Sequence, residues 1–410
     1  MKRYSIPFLL LIAFLASCGS SRRAASVSSS NKNVVNIPTQ VSIPVTKPKE
    51  QRKTPEQMLV WRLDSLLMTE DSLLTQSQLG LHVVDLTTGK VLYAHGERQR
   101  MRPASTEKVV TAVCALDLLG PSYTLNTQLF ATGNVSGGTL QGDIYIKGVM
   151  DPLLSESDIR DMVQQLKNMG VQRITGRIVA DASFKDSDEY GWGWCWDDKN
   201  PVLSPLLCGG KPGLAGEFKK ALQKSGVKVG NVVAGMTPAN ARELISLRRP
   251  LTTVLEPMLK ESDNLCAESV FYQMGSNRKV VATRMQPLLN EEVTVADGSG
   301  LSLYNYQTPE GFTKLLSYAA ARPDSIYNPL LTALPIASID GTLKNRMGGT
   351  AAEIAVRAKT GTVTAVSTLV GYTTQRCTNH LIAFAIMNQG VRRGADGRAF
   401  QDKVCILISE

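Results

Sequence analysis

Ser105 and Lys108 stand three residues apart at the head of the apolar run Val109-Val110-Thr111-Ala112-Val113-Cys114-Ala115-Leu116. On a helix, positions i and i+3 share a face, so a lysine amine there lies within reach of the serine hydroxyl and can take its proton. Pro103 sets the backbone for a first helical turn, and the run is apolar on nearly every face, as in a helix enclosed by a domain. The chain holds four Ser-x-x-Lys strings. Those at Ser29, Ser225 and Ser276 lie in a polar tail, across Gly226 and in a polar turn. Only Ser105 opens a buried helix, and two further strings follow it in order: Ser262-Asp263-Asn264 and Lys359-Thr360-Gly361-Thr362, the second just ahead of a β-rich stretch.

These three strings resemble those of the penicillin-recognising serine acyl-enzymes. Pro103-Ala104-Ser105-Thr106-x-Lys108, Asp297-Gly298-Ser299-Gly300-Leu301-Ser302, Leu334-Pro335-Ile336-Ala337, Asp340-Gly341-Thr342-Leu343 and Ala358-Lys359-Thr360-Gly361-Thr362 are similar to signatures of one branch. That branch is the D-alanyl-D-alanine carboxypeptidase/endopeptidases of peptidase family S13, which carry extra domains between the first and second motifs. The resemblance covers nearly all of residues 56–410. It implies an α+β fold, with a β-lactamase/transpeptidase-like catalytic domain of antiparallel sheet covered by helices and an inserted mixed α+β region. A class A β-lactamase has no room for a domain between Lys108 and Ser262. The local string Gln286-Pro287-Leu288-Leu289-Asn290 also has Gln where such an enzyme needs its deacylating Glu.

The resemblance carries roles with it. Ser105 would attack a D-alanyl peptide carbonyl with Lys108 as base, its ammonium disfavoured by burial and by Lys359. Ser262 would relay the proton to the leaving amine, and Asn264 would orient Lys108 and hold substrate backbone, with Asp263 turned away. The N–H groups of Ser105 and Thr362 would form an oxyanion hole, and Thr360, Gly361, Thr362 and Lys359 would receive the substrate's terminal carboxylate. In the family an Arg after Gly-Ser-Gly-Leu-Ser meets a side-chain carboxylate of the stem peptide, and an inserted Asp before Pro meets its amine. Here Asp151-Pro152 matches the second, while Leu303 replaces the Arg and leaves Arg346 or Arg357 as candidate substitutes. The plainer reading of Asp151 is a turn residue ahead of a proline. Peptidoglycan stem peptides are the implied partner and β-lactams the covalent inhibitors. A non-hydrolytic penicillin-binding sensor or scaffold is the alternative, disfavoured because it has no need of Ser105, Lys108, Ser262, Asn264 and Lys359 together.

The elements that must position these residues follow from periodicity. Residues 59–74 read as an amphipathic helix, and 79–85 with 90–95 as a hairpin around Thr87-Thr88-Gly89 that feeds the Ser105 helix. From 124 the pattern becomes short strands with glycine turns to 147, a helix over 159–169, a strand over 173–181, then helix and strand over 218–233. This is the insert, 124–247. The catalytic domain, 56–123 and 248–410, resumes with 251–260, helices over 265–274 and 311–321, β runs at 362–372 and 380–388, and a closing helix at 399–408.

The N-terminus reads as an export signal: Met1-Lys2-Arg3 precedes an apolar run over 6–16 that is too short to span a bilayer. Leu15-Ala16-Ser17-Cys18 resembles a lipobox, so residues 1–18 are expected to be a lipoprotein signal peptide with Cys18 lipidated, the alternative being a soluble form cut near Ala16. Residues 19–55 are polar and aperiodic, a disordered tether reaching about 30–40 Å. The expected product is exported and periplasmic, held to a membrane through Cys18. Of the net charge of +9, all but +1 lies before residue 56, which argues against a nucleic-acid groove in the folded part.

His82, His95 and His380 are too few and too scattered for a metal site or a Ser-His-Asp triad, and no metal or other cofactor is expected. Trp192, Trp194 and Trp196 alternate like one buried strand face. Cys114 and Cys266 read as free thiols in apolar helices, whereas Cys195 and Cys208 could pair in an oxidising compartment.

Overall fold

The computed structural model describes residues 53–289 and 293–410. The expected signal peptide with Cys18 and nearly all of the expected tether, through residue 52, lie outside the described residues, as does Asn290. Among the described residues no helix is long and apolar enough to cross a membrane.

The catalytic lobe is built on one antiparallel sheet. Its strands run, across the sheet, Arg357–Val363, Val366–Thr374, Leu381–Gln389, Gln78–Asp85 and Lys90–His95. The expected hairpin over 79–95 is present, closed by the Asp85 carboxylate accepting from the N–H groups of Thr87 (2.8 Å) and Thr88 (3.1 Å). Strand Leu381–Gln389 is apolar nearly throughout because both of its faces are covered. Ile382, Phe384 and Ile386 pack toward the terminal helices Pro55–Thr69 and Gly394–Ser409, while Ala383, Ala385 and Met387 join the core under Glu107–Leu119, Asn264–Gln273 and Pro309–Ala320. A slip of one residue would exchange the two sets, so alternation fixes the register.

The first expected helix is shorter than its periodicity suggests. Pro55–Thr69 starts at a capping box on Thr54 and stops at Glu70, and 71–74 form a separate turn. The motif strand also differs from expectation. Residues 357–363 are themselves a strand at the sheet edge, and the chain turns at Ala365, in left-handed conformation (φ 61°), before the next strand begins.

The insert has its own five-stranded sheet, in the order Val232–Ala234, Ile178–Asp181, Ile144–Lys147, Thr124–Ala131, Arg242–Pro250. The first three are mutually parallel and the last two antiparallel. Helices Glu156–Asn168 and Leu214–Lys224 pack against it through Ile159, Met162, Val163, Leu166, Phe218 and Leu222. Its last strand continues to Pro250, three residues past the expected boundary of 247, and pairs there with Thr124. The chain therefore leaves the insert beside the point where it entered.

The tryptophan segment is not a strand. Gly193 at φ 78° breaks the alternation, Trp192 is 50% and Trp196 94% exposed, and Trp194 alone packs against the catalytic core. Cys195 and Cys208 are both free thiols, so the possible disulfide is not formed. Cys208 sits on a two-residue strand against the insert's core and Cys195 on an irregular stretch.

Candidate active site

Ser105 lies in a single 3-10 turn, Ala104–Thr106, that runs straight into the helix Glu107–Leu119. The turn is bent: Ala104 has a φ of 49°, a left-handed conformation that costs a non-glycine residue energy and that its surroundings must impose. Two glycines let those surroundings close in. A Cβ on Gly300 would stand 1.9 Å from the Ala104 carbonyl oxygen, and one on Gly361 would stand 2.1 Å from Thr368 Oγ1, 2.7 Å from Pro103 O and 3.0 Å from Thr106 N. Thr106 Oγ1 (2.6 Å) and Thr368 Oγ1 (2.8 Å) both donate to Pro103 O, tying the turn to the sheet.

Lys108, one turn on, is fully buried. Its Nζ donates to Ser105 Oγ (3.0 Å), Asn264 Oδ1 (2.7 Å) and Ser299 O (2.7 Å). Burial pulls its pKa down to about 8, against the upward pull of Asp297, Glu268 and Asp263. Asn264 opens the helix Asn264–Gln273, and Asp263 caps it by accepting from Cys266 N–H (2.8 Å). Ser262, between helices, is held at φ 62° and makes no hydrogen bond among the described residues.

Strand alternation turns Lys359 and Gly361 toward the nucleophile turn and leaves Thr360 and Thr362 on the other side. Lys359 is fully buried, donates to Thr360 O (2.7 Å), and has its pKa held well below the ordinary lysine value by burial and then by Lys108. Thr360 Oγ1 donates to Thr342 Oγ1 (2.8 Å). Ala358 N–H goes to Pro335 O, and beyond it the outer edge of this strand has no strand partner among the described residues. A cleft of about 480 Å³ opens against this edge, lined among others by Ala104, Gly300, Leu303 and Thr362, with Arg102 and Lys199 as its cations.

Asp151 does not join this group. Its side chain is 1% exposed and bound to Arg249 Nε (3.2 Å) and Leu153 N–H (3.0 Å), so an incoming amine would have to displace the guanidinium. The reason is local: Arg249, on the returning strand of the insert, needs a partner and finds both Asp151 and Asp158. Arg346 is bound to Asp402 (2.8 Å), and Arg357 reaches Leu331 O (3.5 Å).

Asp297, from a motif that gave it no role, and several residues outside the motifs hold the site together. Asp297 accepts from Gly300 N–H (2.8 Å), Ser302 N–H (2.6 Å), Asn305 Nδ2 (2.7 Å) and the indole N–H of Trp194 (2.7 Å), which comes from the insert. Gln307 Nε2 donates to Glu107 (2.9 Å), whose pKa burial raises well above the usual carboxylate range. A sequence signal for these existed in the acidic residues Glu107 and Glu268, each set in an otherwise apolar helix.

Residues 59–206 and 213–410 match the family described as D-Ala-D-Ala carboxypeptidase 3 (S13). A D-alanyl-D-alanine carboxypeptidase of an Actinomadura species is 27% identical over 85% of this chain and 84% of its own length. In fold, the chain is similar to penicillin binding protein 4 (dacB) of Haemophilus influenzae, with a TM-score of 0.77 at 21% identity, covering 85% of this chain and 99% of that one. It is also similar to a predatory peptidoglycan endopeptidase of Bdellovibrio bacteriovorus, with a TM-score of 0.58 at 19% identity, covering 81% and 92%.

Proposed function

Because the chain belongs to the D-Ala-D-Ala carboxypeptidase 3 (S13) family and is thereby a serine-type carboxypeptidase, we propose that it cleaves D-alanyl bonds of peptidoglycan stem peptides through an acyl-enzyme on Ser105. The observation that carries this reading is the buried Lys108 amine, 3.0 Å from Ser105 Oγ and fixed from two other sides by Asn264 and Ser299. As Ser105 Oγ bonds to the substrate carbonyl carbon, its proton passes to the neutral Lys108 amine and the carbonyl oxygen becomes an oxyanion. The N–H groups of Ser105 and Thr362 are assigned to it, each donor of this kind contributing about 3–4 kcal/mol in serine hydrolases. The proton then moves through Ser262 to the departing D-alanine nitrogen as the C–N bond breaks. Water hydrolyses the ester by the reverse proton path and restores Ser105.

The free edge of the motif strand suits an extended stem peptide added as a further strand. Thr360, Gly361 and Thr362, with Lys359 behind them, are assigned to the terminal carboxylate. An internal cross-link, which ends in a longer donor peptide, fits the same edge, so endopeptidase action belongs to this proposal. Such substrates place the enzyme outside the cytoplasm, and the Leu15-Ala16-Ser17-Cys18 string supports a lipid anchor at Cys18. The test is intact-mass spectrometry after exposure to a β-lactam. One adduct mapping to Ser105, and none on the Ser105→Ala variant, is expected; a label on another serine would refute the assignment.

A further inference from the structure

Glu268 is an acidic side chain with 1% of its surface exposed, on the helix that Asn264 opens. The two are four residues apart and so share one helical face. Asn264 reaches Lys108 directly; Glu268 reaches it through the backbone of one residue, Ser299. Its Oε1 accepts from the N–H groups of Gly298 (3.1 Å) and Ser299 (2.8 Å), and the carbonyl of that same Ser299 accepts from Lys108 Nζ at 2.7 Å. The loop lies flat on the helix, since a Cβ on Gly298 would stand 2.6 Å from Phe271 Cβ and 2.7 Å from Ala267 O. Thr111 Oγ1, from the nucleophile helix, takes the Gly298 carbonyl at 2.8 Å.

We propose that Glu268 is a positioning residue of the acyl-transfer site, acting on Lys108 through the Gly298–Ser299 backbone. A carboxylate gripping two consecutive amide N–H groups fixes the direction of the carbonyl that follows, and that carbonyl holds the lysine amine toward Ser105. The inference rests on the roles given above to Ser105 and Lys108. The groups whose charge acts on Lys108 are Asp297, Glu268, Asp263 and Cys266, together with Lys359 from the motif strand and Glu107 from its own helix. Burial raises the pKa of Glu268, with Asp297 adding to the effect, while Lys108 and the two backbone donors oppose it. Its pKa is pushed up to about 8, so Glu268 is charged only from about the pH at which Lys108 loses its proton; there its charge favours the ammonium, and removing it makes Lys108 a free base at lower pH.

The experiment is the rate of acylation by a fluorescent penicillin between pH 5 and 10, with peptide mapping of the label, on the full chain. Glu268→Gln keeps an acceptor for the two N–H groups and removes the charge that Glu268 carries from about pH 8 upward, and its acid limb is expected below the wild-type limb by up to about one pH unit. A limb that stays in place or moves up overturns the inference, because a residue that only packs would change the yield or melting temperature and not the limb. Glu268→Asp keeps the charge and withdraws the oxygen, and should leave the limb in place with a plateau lower by about tenfold. Should the glutamine variant fail to fold, that second variant decides, and a wild-type plateau overturns the proposal. Label absent from Ser105 in the wild type refutes the underlying reading, and this inference with it.

Discussion

In the proposed role Lys108 accepts a proton, which only the neutral amine can do, and Lys108 reaches that form near pH 8 where an exposed lysine would need a pH above 10. Below about pH 8 the neutral fraction falls roughly tenfold per unit, so kcat/KM should fall with it and level off above, as a pH profile on a D-Ala-D-Ala peptide will show. Lys108→Arg keeps the charge but cannot surrender it, and acylation should drop by about 10²–10⁴. Asp151 invites a different forecast from the one its sequence context suggests. Asp151→Asn should cost about 1.5–3 kcal/mol in a thermal or denaturant melt through its bond to Arg249, with KM unchanged for peptides with or without a free side-chain amine. That Ser105, Lys108 and Asn264 would meet was legible because the expectation rested on residue type and spacing. Glu268 and Asp297 were not read as partners of Lys108, since what they do depends on burial and on a loop folding back onto a helix, which no local pattern records.

The elements show where propensity and position part company. The strand Leu381–Gln389 was readable because two covered faces demand a continuous apolar run. The motif strand Arg357–Val363 was not, because Ala358, Lys359 and Gly361 are poor strand formers and are held in one by pairing to Val366–Thr374 and by contact with the Ala104–Thr106 turn. That contact makes Gly361 indispensable. Gly361→Ala should push the strand off Pro103 and Thr106, costing about 1–3 kcal/mol in a denaturant melt and lowering β-lactam acylation by more than tenfold. If the variant acylates normally, the strand and the turn are less tightly coupled than their separation indicates. The tryptophan segment misleads in the opposite sense: alternation with Gly191 and Gly193 mimics a strand, yet a left-handed glycine makes it a clasp, with Trp194 on Asp297 and Gly193 O accepting from Leu303 N–H.

Across the whole molecule, the division of charge between residues 1–55 and a nearly neutral remainder was visible from composition. The way residues 124–250 meet the rest was not, because it joins segments far apart in sequence, through Trp194 on Asp297 and through backbone groups: Gln273 Nε2 donates to Val149 O (2.9 Å) and Ser269 Oγ to Met150 O (2.6 Å). The proposed anchor is tested at this scale. Cys18→Ala should move the protein from the membrane to the soluble fraction on cell fractionation without altering β-lactam acylation; a variant that stays with the membrane is held by something else. The pairing of Thr124 with Pro250 also bears on how such a chain folds. An unstructured excursion between those residues would oppose the meeting of the Ser105 and Asn264 helices by roughly 4 kcal/mol of closure entropy. An insert that zips its own first and last strands together removes most of that cost before the helices dock. Two segments far apart in sequence then search for each other as near neighbours, and the catalytic lobe can fold with the contact order of a much shorter protein.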